Sequence, residues 1–123
     1  MKNKFKLILS INGVNTKHLA KVISRSPLEF KYTESPKQDV IVKVIDKDHV
    51  LVNRIGITTM SVNHKEGLLE KPSFVVKLNG SDFKSQAVIK THKLKVSCEL
   101  IEVEFNNETE DTNIKYNIGD MNE

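Results

Sequence analysis

Tryptophan is absent from the 123-residue chain, cysteine occurs once and proline three times. A lone thiol excludes a disulfide framework and a multi-cysteine zinc site. Alanine occurs only at Ala20 and Ala87, so the best helix former is nearly missing. Arginine is restricted to Arg25 and Arg54 against 17 lysines, so any bidentate grip on phosphate or carboxylate falls to those two residues. No apolar run approaches the length of a membrane span. Leu7-Ile8-Leu9 is interrupted by Ser10 and Asn12, too short for a signal-peptide core. The expectation is a cytoplasmic protein with a reduced thiol. Catalytic signatures are missing too: there is no nucleophile elbow, Walker loop, paired metal-binding histidines or glycine-rich dinucleotide turn. An enzyme is not expected, and no cofactor or metal is implied.

What is abundant is β-branched: 13 valines, 11 isoleucines and seven threonines. Such side chains lose rotamer freedom in helices and pack well on a pleated sheet. The length suits one domain. Charge is unevenly placed. Residues 1–105 hold 18 basic and 11 acidic residues, a net +7, whereas residues 106–123 hold one lysine and five acids, a net −4. Residues 1–28 contain Lys2, Lys4, Lys6, Lys17, Lys21 and Arg25 and no acid.

Period-two alternation marks the strands. Phe5, Leu7, Leu9 and Ile11 alternate with polar residues and stop at Asn12-Gly13, a pair suited to positive φ. Leu19, Val22 and Ile23 have helical spacing behind Asn15-Thr16, which predicts a short helix over 16–24, with a strand as the alternative. Leu28, Phe30 and Tyr32 form a strand, as do Val40, Val42 and Val44. Another runs from His49 to Ile57 or Thr59, with Gly56 marking a bulge or a close approach. Residues 63–69 read as a loop or one helical turn. Asn79-Gly80 joins a hairpin. In the final segment Leu94, Val96, Cys98 and Leu100 share one parity, and Ile101, Val103 and Phe105 the other. A bulge near Leu100-Ile101 would return both halves to one core, with Cys98 buried. Ile114, Tyr116 and Ile118 form an alternating island in the acidic segment and would suit an edge strand pairing within the molecule or with a partner. His18, His49, His64 and His92 share no metal-ligand spacing, and three of them fall at expected turns or loops, which predicts solvated side chains.

From Val40 to Phe105 the order of elements resembles a PilZ domain. The strand ending Asn53-Arg54-Ile55-Gly56-Ile57, the loop with Leu68-Leu69 before Pro72, the hairpin Phe74 to Gly80, the return strand with Ala87-Val88-Ile89 and the strand ending Glu104-Phe105 carry the likeness. PilZ domains are small six-stranded β-barrels of bacteria, many of which bind cyclic di-GMP. The resemblance implies a barrel with a ligand or partner face near Arg25, Arg54 and Gly56. The family's arginine pair is missing, since Arg25 has Leu28 and Glu29 where a second would stand. Ile55 occupies the serine position after Asn53, and Gly56 comes two residues early. Both departures argue against cyclic di-GMP binding in the usual way and leave contact with a protein partner.

The expected fold is mostly β: a single small antiparallel β-barrel or strongly bent sheet of six to eight strands, with one or two short helices. Residues 1–105 would form the domain and 106–123 a flexible acidic tail. The expected function is a non-enzymatic regulatory or adaptor domain of divergent PilZ type. Arg25, Arg54, Gly56, Lys90 and Lys93 would make ligand or partner contacts, and Ile114, Tyr116 and Ile118 an edge-strand contact. Two alternatives stand beside it. One is a basic barrel that binds nucleic acid through its lysines. The other is a small assembly or inhibitor protein of phage or immunity type.

Overall fold

A computed structural model describes residues 3–119. Twelve antiparallel strands form one curled sheet, and among the described residues there is no helix. The strands are β1 (Lys4–Ile11), β2 (Val14–Arg25), β3 (Leu28–Ser35), β4 (Gln38–Asp46), β5 (His49–Gly56), β6 (Thr58–His64), β7 (Leu69–Glu70), β8 (Ser73–Leu78), β9 (Ser81–Gln86), β10 (Ile89–Val96), β11 (Leu100–Asn106) and β12 (Asp111–Ile118). Their order across the sheet is β7-β10-β11-β12-β1-β2-β3-β4-β5-β6-β8-β9. This half-barrel replaces the expected six to eight strands with helices.

Alternation drives the curl. Phe5, Leu7 and Leu9 of β1, Phe30 and Tyr32 of β3, Val40 and Val42 of β4 and Val50 and Val52 of β5 are buried on the concave face. Their neighbours in sequence take the other face, as period two requires, and of these Ser10 is buried there too. Ile101, Val103, Ile114 and Tyr116 complete the packed core from β11 and β12. Phe5 and Phe30 meet edge to face, with ring centroids 5.2 Å apart. Asn12-Gly13 and Asn79-Gly80 turn with φ of 51° and 85°, and of 52° and 80°, the left-handed pair that tight hairpins need.

The predicted helix over 16–24 is part of β2. Leu19 pairs with Lys6 and faces outward, while Ala20 pairs with Phe5 and is buried. A two-turn helix is marginal alone, and pairing with both β1 and β3 gives the backbone its partners instead. The expected long strand near residue 98 is two strands joined by a turn over 97–99, held by the Ser97 N–H donating to the Leu100 carbonyl at 2.8 Å. The turn, not a bulge at Leu100-Ile101, resets the parity. The bulge lies at Thr91–Lys93. Cys98 therefore sits exposed in the turn rather than in the core.

The expected acidic tail is also corrected. Residues 111–118 form β12, a central strand that pairs with β1 on one side and β11 on the other. The acids Glu108, Glu110 and Asp111 occupy the β11–β12 turn and its exit and are exposed. Lys2, Asp120 and Glu123 lie outside the described residues.

Closure is partial. At one end the link after β6 folds onto β10: Gly67 N–H donates to the Thr91 carbonyl at 2.8 Å, and Thr91 N–H to the Leu68 carbonyl at 3.0 Å. At the other end β6 pairs instead with β8, and β9 ends the sheet. The concave face between the β8–β9 hairpin and the β11–β12 hairpin is left as a cup.

Candidate functional site

The cup has a volume of about 390 Å³, within the range of roughly 300–1,000 Å³ typical of ligand clefts. Met60, Phe74, Val76, Phe105 and Ile114 supply apolar walls, and Arg54, Tyr116 and His64 supply polar groups. Each arrives by register. Val50, Val52 and Arg54 share the inward parity of β5, so the third position delivers a guanidinium to the concave side. Val40 of β4 lies between Tyr32 of β3 and Arg54 of β5 in one cross-strand row.

Polar side chains gather at the floor of the cup, where it meets the packed core. Arg54 Nη1 donates to Glu34 Oε2 at 2.6 Å. Both side chains keep some access to water, with 23% of the arginine and 28% of the glutamate exposed. Burial pulls the guanidinium pKa down, but the hydrogen bond and charge of Glu34 more than offset this and raise it. The Tyr32 and Tyr116 rings meet edge to face, with centroids 6.4 Å apart. Burial pushes Tyr116 up to about 12 and Tyr32 further up, so both stay protonated donors at neutral pH. Below them the Gln38 amide clamps Thr58, donating to its carbonyl at 2.9 Å and accepting from its N–H at 2.8 Å.

His64 ends β6 and is buried against Phe105, ring centroids 5.2 Å apart. Its Nδ1 lies 3.0 Å from Thr91 Oγ1. Burial lowers its pKa to about 4, which keeps the ring neutral. The expected loop placement is corrected, since His18, His49, His64 and His92 all lie on strands; His64 is buried, whereas His92 is exposed as expected. Among the described residues no group of three metal-binding side chains assembles.

The structure scatters the other predicted contact residues. Arg25 is exposed at the end of β2. Gly56 packs its backbone against Lys37 and Gln38, where a Cβ would collide with the Lys37 carbonyl oxygen. Its role is the close approach of β4 to β5. Lys90 is exposed on β10, and Lys93 lies 3.7 Å from Glu102 on the outer face. Asn53 and Ile55, part of the PilZ-like stretch, also face outward, Asn53 accepting a hydrogen bond from Ser61. Ile114, Tyr116 and Ile118 are buried in β12, between two strands and not at an edge. Only Arg54 and Tyr116, with Ile114, meet in the cup.

Glu34, Met60, His64 and Phe74 were not anticipated. The readable signal was a charge on apolar parity: Glu34 follows Phe30 and Tyr32 at two-residue steps, as Arg54 follows Val50 and Val52.

The outer face carries a different pattern. Lys21 stands opposite Lys4 on one side and Lys31 on the other. Lys31 is paired with Asp39 at 3.5 Å.

Fold and site together define an all-β half-barrel with an apolar cup over a charged floor. No protein-family model and no curated protein matches the chain. The chain is similar in structure to the ywiB protein from Bacillus subtilis, at 18% identity and a TM-score of 0.64, covering 98% of this chain and 96% of that one. This likeness shows the fold alone and does not indicate a PilZ domain. No described helix is long and apolar enough to cross a membrane.

Proposed function

We propose that the protein is a non-enzymatic binding protein whose cup takes a small, mainly apolar molecule. The observation that carries this is a cavity of about 390 Å³ with apolar walls, left where the sheet fails to close. A packed half of the concave face holds the fold while the other half stays accessible, the arrangement by which small barrels retain one ligand. The polar groups at its floor are engaged with one another, Arg54 with Glu34 and His64 with Thr91, which suits binding better than acid–base turnover. Titration with the neutral fluorophore N-phenyl-1-naphthylamine tests this. Enhanced emission is expected from the wild-type chain and not from Val76→Glu, at an unchanged unfolding midpoint. No enhancement with the wild-type chain would overturn it.

A second reading, an adaptor acting through protein contact, is supported by β9. That strand ends the sheet, is exposed at every residue and carries Phe83 at 56% exposure. An unpaired edge is a template for an added strand. A complex that the wild-type chain retains is expected to fall apart in Phe83→Lys, and an unchanged complex would exclude this contact.

A further inference from the structure

The floor of the cup narrows the class of ligand, on the premise that the cup is a binding site. Among the described residues that line it, Arg54 is the one that carries charge, because His64 is held neutral by burial. A guanidinium has five N–H donors in a planar fork, and the side chain bonded to Arg54 is Glu34, through Nη1. Glu34 is not among the residues lining the cup. It keeps 28% of its side chain exposed, so the carboxylate has a route into water at the end of β3. The pair is an ionic contact in which one partner faces the cavity and the other can leave.

We propose that the cup takes a medium-chain aliphatic monocarboxylate, whose carboxylate takes the place of Glu34 on the Arg54 guanidinium. The exchange replaces one carboxylate with another, so the floor stays neutral and no charge is left buried without a partner. A phosphate dianion would bring two charges to a single guanidinium. A cationic head would meet Arg54 first and be repelled. The aliphatic body lies against Met60, Phe74, Val76, Phe105 and Ile114, and Tyr116 stands at the floor as a protonated donor. Glu34 then acts as a built-in competitor that occupies the cation when the cup is empty.

Calorimetric titration with decanoate and with methyl decanoate tests this. The wild-type chain is expected to bind decanoate about tenfold or more tighter than the ester, the scale of one charge-assisted contact. Glu34→Gln removes the competitor and is expected to tighten decanoate binding several-fold while leaving the ester unchanged. The double variant Arg54→Met with Glu34→Gln removes both charges together and is expected to bind the two compounds alike. Equal binding of decanoate and ester by the wild-type chain, or no gain in Glu34→Gln, overturns the carboxylate assignment and leaves the cup reading intact. Failure of both compounds to bind overturns the two together.

Discussion

His64 Nδ1 and Thr91 Oγ1 lie 3.0 Å apart, joining β6 to β10 across a sheet in which seven strands separate them. The contact draws the curl together behind the cup and fixes a neutral imidazole in a buried place. Its folded pKa, near 4, lies below the ordinary 6.5, so between those values the unfolded chain binds the extra proton. Stability is therefore whole above about pH 6.5 and falls as the pH drops toward 4, by about 3 kcal/mol across the window. Urea unfolding at pH 7.5, 5.5 and 4.5 is expected to show this loss. His64→Gln, which keeps a hydrogen-bonding group for Thr91, is expected to flatten it.

Gly56 is held at φ 144°, and a Cβ there would run into the carbonyl of Lys37. The same carbonyl accepts the Ile57 N–H at 3.0 Å, so it is not free to retreat. Gly56→Ala is expected to cost about 2 kcal/mol or more through strain and the displaced strand end. Equilibrium unfolding in urea reads this directly.

Ending the chain at Phe105 would remove β12 from between β1 and β11. It would delete Ile114, Tyr116 and Ile118 from the core and leave two inner strands with open edges. Fully buried side chains of this size are worth about 1.5–3 kcal/mol each, and small domains hold only about 5–15 kcal/mol in total. The shortened chain is expected to lack a cooperative thermal transition by circular dichroism.

On the outer face, Lys4, Lys21 and Lys31 stand in one cross-strand row. Like charges directly opposite each other are unfavourable by a few tenths to about 1 kcal/mol. Lys21→Glu is expected to stabilise the fold by about that amount at low salt. The gain should shrink in molar salt, where screening removes the repulsion. Paired urea melts at the two ionic strengths check both parts.

Strands were legible where a large apolar residue alternates with a polar one, as in Phe5 to Ile11 and Val40 to Val44. Reading failed at β2, because its inward set includes His18 and Ala20, too weakly apolar to outvote the helical spacing of Leu19, Val22 and Ile23. It failed at Cys98, where a three-residue turn and a buried strand give the same apolar count. It failed most at β12, where flanking acids hid a core strand: Glu108, Glu110 and Asp111 belong to the turn and its exit, while Ile114, Tyr116 and Ile118 belong to the buried face of the strand itself. Arg54 was picked out from a family likeness. Its parity with Val50 and Val52 is the reason it reaches the cup, and its partner Glu34 became visible only when β3, β4 and β5 were laid side by side.

The pairing of β1 with β12 carries a kinetic consequence. These strands are about a hundred residues apart in sequence, with Leu9 opposite Tyr116, so the contact that joins the two arms of the sheet is the one with the highest loop-closure entropy. During synthesis β1 can pair with β2 within moments, yet its other edge waits until β12 has left the ribosome. Folding is thus expected to be slow for a chain of this size, with a late step that seals both arms at once.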